Sequence, residues 1–167
     1  FAAVVDDWLE ALYVDPGEQG AGVGSMLLDV VKARRPDGFC LWVFTANAPA
    51  RSFYARHGLL ELEHTDGSGN SERTPDVRMV WPGADPVATL RGLVDDVDHQ
   101  LGDLLARRVA LSRVIQQHKS DVSRDPGREA DVARRVAARA PELGEERVAR
   151  IMAVLIAESL DAASTDA

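Results

Sequence analysis

Cysteine is nearly absent from this chain. The single Cys40 cannot form an internal disulfide, and no cysteine–histidine spacing suits a metal, so a reducing cytoplasm is the natural compartment. Positive charge is in the minority: 19 Lys and Arg stand against 27 Asp and Glu, a formal net charge of −8. That balance argues against a general nucleic-acid binder, which carries a basic face. It leaves room for an anionic small-molecule site, because local arginines decide that. Long apolar runs are missing too: nothing reaches the roughly 20 residues that a bilayer span needs. No signal peptide is visible. What is there is a 167-residue chain, 46% hydrophobic and 28% charged, which reads as soluble and globular. It has room for one ordinary domain or two small ones. The chain begins at Phe1, and Phe1–Val5 reads like the inside of a fold, which sets the expectation that part of a larger protein precedes it.

Two textures divide the chain. Residues 1–82 alternate short apolar runs with Gly, Pro and Asn. Trp8–Val14 is a strand candidate ended by Asp15-Pro16-Gly17. Gly22–Ala33 has helical spacing at Val23, Met26, Leu27, Val30 and Val31. Phe39–Phe44 suits a buried strand. Ala48–His57 suits a helix capped by Gly58. Leu59–His64 and Val77–Trp81 can pair as a hairpin. The order is β-α-β-α-β-β, an α/β or α+β arrangement.

After Pro82–Pro86 the strand signal stops, and the boundary between a domain at 1–82 and one at 83–167 falls there. Leu90, Val94, Val97, Leu101, Leu104, Leu111, Ile115 and His118 form the stripe of one long helix. At about 1.5 Å per residue it runs near ~50 Å, and a lone helix of that length needs a partner. Asp125 as N-cap and Pro126 at the first helical position open a second helix, which stops before Pro141. A third runs from Glu145 to about Ala163, with Ser164–Ala167 frayed. Arg108 and Lys119 are three turns apart and point to nearly the same side, with Cα atoms about 16 Å apart. Two long side chains leaning together can grip a small dianion, and Arg128 can reach the same space. Arg91 points about a quarter-turn away from Arg108, so it suits a partner's pocket better than its own.

The string Leu90-Arg91…Val97-Asp98…Leu104-Leu105…Arg108…Lys119…Asp125…Arg128-Glu129…Ser159 resembles the all-helical, type II chorismate mutases. The resemblance covers 86–164 and implies a three-helix all-α domain in an intertwined homodimer. It implies that Arg91 reaches the other subunit's site and that Arg108 and Arg128 hold the carboxylates of chorismate. Lys119 would face the breaking ether oxygen, Glu129 and Asp125 the ring hydroxyl, and Ser159 would line the pocket. Orientation and preorganised electrostatics suffice for this one-step rearrangement, with no metal or cofactor. Many members place Gln or Glu four residues after the serine, where this chain has Ala163.

The front half carries a glycine-rich run, Gln19-Gly20-Ala21-Gly22-Val23-Gly24, between a strand and a helix. Glycines there let the backbone approach a pyrophosphate, and free N–H groups at a helix start bind it. Together with Leu12–Pro16 and Asn47–Gly58, this resembles the C-terminal half of the GNAT N-acetyltransferases. The resemblance implies acetyl-CoA as cofactor, held by the backbone around Val14 and residues 19–24. It implies that Asn47 contacts the cofactor arm and that Tyr54 protonates the departing thiolate. Glu10 is a candidate base acting through water. The strands and helices that open a whole GNAT fold have no counterpart in these residues.

The leading expectation is therefore a chorismate mutase fused behind an acetyl-CoA-dependent N-acetyltransferase region. Two alternatives stand beside it. In one, acetyl transfer to an amine is the main activity and the helical tail serves dimerisation or ligand binding. In the other, the mutase acts on 4-amino-4-deoxychorismate.

Overall fold

The computed structural model describes residues 1–118 and 125–164. They form two compact units, Phe1–Asp95 and Asp96–Ala167. Lys119 lies outside the described residues, and so does most of the tail expected to fray; Ser164 itself is the last residue of a helix.

The first unit is a five-stranded sheet in the order β1-β2-β3-β5-β4. Strand β1 (Ala2–Val5) pairs antiparallel with β2 (Trp8–Leu12). Their two-residue turn, Asp6-Asp7, places Asp6 at φ 49°. That turn lacks the glycine that marks a tight hairpin, which is why periodicity alone leaves Phe1–Val5 unassigned. Helix α1 (Val23–Arg34) carries the chain over to β3 (Phe39–Phe44), which runs parallel to β2. Helix α2 (Ala48–Arg56) leads to the hairpin of β4 (Leu60–Thr65) and β5 (Asp76–Trp81).

Alternation along β3 buries Phe39, Leu41 and Val43, while Val77 and Met79 of β5 face the same way. Leu28 and Val31 of α1 complete this core, and Phe53 and Tyr54 of α2 pack against it. Each such side chain contributes roughly 1.5–3 kcal/mol on full burial. The other face of β3 carries Trp42 and Phe44, both exposed.

Helix α3 (Pro86–His118) is 33 residues long and buries none of them. Helix α4 (Pro126–Ala137) opens as expected: Asp125 Oδ1 accepts the Arg128 N–H at 3.0 Å, and Pro126 sits in the first turn. It ends three residues before the expected stop. Arg139 and Ala140 turn back to Val136 and Ala137, and Ala140, preceding Pro141, takes φ −133° instead of helical backbone. Helix α5 (Glu145–Ser164) packs on α4 through Ala133, Val148 and Met152. Among the described residues no helix is long and apolar enough to cross a membrane.

Candidate active sites

In the first unit the parallel strands β2 and β3 register at one position, Trp8 opposite Cys40, with the Cys40 N–H donated to the Asp7 carbonyl at 2.8 Å. No further pairing joins them toward Leu12, and the chain beyond β2 enters the glycine-rich loop. A single 3-10 turn, Pro16–Glu18, starts that loop, capped by Asp15 Oδ1 on the Gly17 N–H at 2.9 Å. Gly20 (φ 81°) and Gly22 (φ 85°) hold left-handed backbone, which favours glycine. A Cβ at either would meet open space, so backbone conformation rather than crowding selects glycine there. Gly22 is the N-cap of α1 and supplies no side-chain cap. The opening N–H groups of α1 therefore stay available at its positive end.

At Gly24 neither backbone angle nor crowding demands glycine. A Cβ there would lie 3.5 Å from the Phe53 ring and 3.7 Å from Val14. The loop, the end of β2 and α2 thus meet at Gly24. Gln19 Nε2 donates to the Val14 carbonyl at 3.3 Å, so these two residues already engage each other. Ala21 and Val23 complete the loop, with Val23 the first residue of α1. Asn47 is the N-cap of α2: its Oδ1 accepts the Ala50 N–H at 3.2 Å, leaving its NH2 as the group to face a ligand. Tyr54 is half-buried beside Phe53, ring centroids 5.2 Å apart. Burial raises its pKa above the ordinary tyrosine value, with Tyr13 pushing the same way. Tyr54 therefore keeps its proton through neutral pH, as a proton donor to a thiolate must. Glu10 is exposed on β2.

Two clusters in this unit escape a reading by sequence. Ser25, in the first turn of α1, lies 3.0 Å from His57 Nε2, while His57 Nδ1 lies 2.8 Å from the Phe53 carbonyl. On the opposite sheet face Arg78 stacks on Trp8 at 4.9 Å, approaches Cys40 Sγ at 3.3 Å and pairs with Glu63 at 3.3 Å. Burial raises the Cys40 pKa against the lowering effect of Arg78. Neither cluster has a local signature, because its members are 32 and 38 residues apart.

In the second unit the first turn of α4 gathers Asp125, Arg128 and Glu129. Asp125 is engaged twice, through Oδ1 with the Arg128 N–H and through its carbonyl with the Glu129 N–H at 3.0 Å. Arg128 is exposed and Glu129 partly buried. The short α4–α5 connection makes an antiparallel hairpin, so this turn and the later turns of α5 lie at its open end. There Ser159 is 4% exposed, its hydroxyl donated to the Leu155 carbonyl. Ala163, one turn on, is buried on the same face and brings no donor.

Arg108 is partly buried, in line with the partly buried Leu105, Val109, Ser112 and Gln116. It borders a stripe that stays open: Val97, Leu104 and Leu111 are 59%, 60% and 57% exposed. Arg91 is exposed, near the start of α3 and in the first unit. Of the proposed mutase set, the fold brings Asp125, Arg128 and Glu129 together in the first turn of α4.

Two family models match separate stretches of the chain. Residues 90–163 match the family model of type II chorismate mutase, and residues 1–58 match that of the acetyltransferase (GNAT) domain. Ard1 from Thermoplasma volcanium is similar at 22% identity, over 47% of this chain and 55% of its own, with a TM-score of 0.43. Apo YjaB from Escherichia coli is similar at 23% identity, over 50% of this chain and 56% of its own, with a TM-score of 0.44. The ribosomal-protein-S18-alanine N-acetyltransferase from Escherichia coli is similar at 26% identity, over 48% and 57%, with a TM-score of 0.38. The chain thus spans little more than half the length of these structures. No curated protein matches it.

Proposed function

From a chain that joins a GNAT acetyltransferase domain at 1–58 to a type II chorismate mutase domain at 90–163, we propose an enzyme that rearranges chorismate to prephenate in aromatic amino-acid biosynthesis. The domains divide at the Pro82–Pro86 linker, into 1–82 and 83–167. The ether C–O bond breaks as the new C–C bond forms, with no nucleophile and no proton lost. The site has only to hold the compact diaxial conformer and to stabilise negative charge growing on the ether oxygen. Arg108 and Arg128 hold the two carboxylates, and Lys119 faces the ether oxygen. Glu129 and Asp125 orient the ring-hydroxyl side, and Ser159 lines the wall. Arg91 enters the site of a second copy. The observation that carries this reading is the Asp125–Arg128–Glu129 turn, set at the open end of a helical hairpin inside the matched domain.

The dimer follows from the exposed stripe on α3. A contiguous apolar stripe of this kind marks an interaction surface, and a second copy of the same helix covers it. The lone, buried Cys40 suits a reducing, cytoplasmic setting.

The first domain holds acetyl-CoA, its pyrophosphate on the N–H groups of residues 19–24 and its pantetheine arm along Val14 and Asn47. Glu10 takes a proton from the acceptor amine through water, and Tyr54 gives one to the departing thiolate. A second reading keeps the same site and gives it 4-amino-4-deoxychorismate as substrate.

Loss of chorismate absorbance in the ultraviolet tests the mutase, with Arg108→Ala alongside. Turnover that falls at least about a thousandfold in the folded variant supports the reading. A folded native protein without turnover on either substrate overturns it.

A further inference from the structure

Residues 86–95, the first turns of α3, belong to the first unit, and the chain fastens them there with unusual closeness. Gly83 has φ 71°, and a Cβ on it would lie 2.5 Å from the Pro36 carbonyl oxygen and 2.8 Å from the Gly38 nitrogen. Gly38 has φ 108°, and a Cβ on it would lie 2.8 Å from the Trp81 carbonyl oxygen and 2.9 Å from Thr89 Cγ2. Both positions exclude any side chain, through backbone angle and through space. The Ala84 N–H donates to the Pro36 carbonyl at 2.9 Å. The Thr89 hydroxyl reaches across from α3 and donates to the Asp37 carbonyl at 2.7 Å. Asp85 caps the helix by accepting the Ala88 N–H at 3.1 Å. The turn between α1 and β3, Pro36–Gly38, is thus clamped to the start of α3.

Terminal helical turns fray unless something ties them down. Arg91 lies two residues beyond Thr89, in the turn that this clamp orders. A slip of one residue turns a helix by about 100° and would carry the Arg91 guanidinium to another side. From Val94 onward the described side chains of α3 include none that is buried.

We infer that the Thr89–Asp37 clamp is a positioning device for the mutase: the acetyltransferase-like unit fixes the helical turn that presents Arg91. Thr89 is then a positioning residue, with no contact to substrate. The inference rests on the role proposed for Arg91 and adds to it a dependence of mutase turnover on a residue pair outside the matched mutase segment.

The test uses the full chain and chorismate, with Thr89→Val, Thr89→Ser, Arg91→Ala and the double variant Thr89→Val/Arg91→Ala. Thr89→Val keeps the shape and removes the donor; Thr89→Ser keeps the donor. The expected result is a drop in kcat/KM of roughly tenfold or more for Thr89→Val, near-native turnover for Thr89→Ser, and no additional loss when Thr89→Val is placed on Arg91→Ala. Helix content by circular dichroism stays native throughout. Native turnover in Thr89→Val beside a crippled Arg91→Ala overturns the clamp alone. An equal loss from Thr89→Val in both backgrounds also overturns it, since a general loss of structure acts whether or not Arg91 is present. Native turnover in Arg91→Ala overturns the proposed role of Arg91, and the clamp with it.

Discussion

Ser25 Oγ and His57 Nε2 lie 3.0 Å apart and join the first turn of α1 to the C-terminal end of α2. With His57 Nδ1–H donated to the Phe53 carbonyl, Nε2 is the acceptor and the Ser25 hydroxyl the donor. Lys32 reinforces the joint by donating to the His57 carbonyl from the far end of α1. The joint holds the glycine-rich loop and the helix of Tyr54 in one frame.

His57→Ala removes the acceptor and the ring that spans the two helices. Expected is a stability loss of about 1 kcal/mol in chemical denaturation and weaker acetyl-CoA binding by calorimetry. Unchanged values of both would show that the joint does not hold the loop.

The chain has two tyrosines, Tyr13 and Tyr54, which makes the Tyr54 titration readable by tyrosinate absorbance. The raised pKa means that Tyr54 ionises above the ordinary value of about 10. Because the folded value exceeds the unfolded one, stability is full below about pH 10 and is lost as pH climbs past it. Tyr54→Phe should delete an ionisation step that lies above about pH 10. It should also slow release of the CoA thiol from acetyl-CoA, with a mixture of amines as acceptors, by about a hundredfold. Deletion of a step at or below about pH 10 instead would contradict the assignment.

Val97 and Leu104 are largely exposed on one chain. A Val97→Asp/Leu104→Asp double variant places two charges in the proposed dimer seam. Sedimentation should then report a monomer where the native protein is a dimer, with mutase turnover lost alongside. A native protein that sediments as a monomer would remove the basis for the shared site.

Ala163 lies one turn beyond Ser159 on the same buried face. Ala163→Gln adds a donor where the pocket lacks one. Chorismate turnover should rise on the order of tenfold to a hundredfold. An unchanged rate in a folded variant would place residue 163 outside the reacting centre.

The local code of this chain was legible wherever one residue and its neighbours settle the matter. Phe39–Phe44 reads as a buried strand because alternation and an apolar run coincide, and it is that strand. Asp125-Pro126 reads as a helix start because an acceptor and a fixed φ meet there, and the cap forms. The order of elements in both halves follows from such signals. β1 was not legible, because its hairpin turns at Asp6-Asp7 without glycine and its pairing depends on β2.

The sequence by itself determined the long helix α3 and its apolar stripe, since helical periodicity is a property of neighbours three and four residues apart. It likewise marked Gly58 as the cap of α2, and that residue holds left-handed backbone at φ 81°. Only the tertiary structure decided that Gly24 packs on Phe53, that Ser25 meets His57, that Arg78 covers Trp8, and that Thr89 clamps α3 to Asp37. Those partners lie tens of residues apart, and nothing short of chain reversal and core packing brings them within hydrogen-bonding or van der Waals reach.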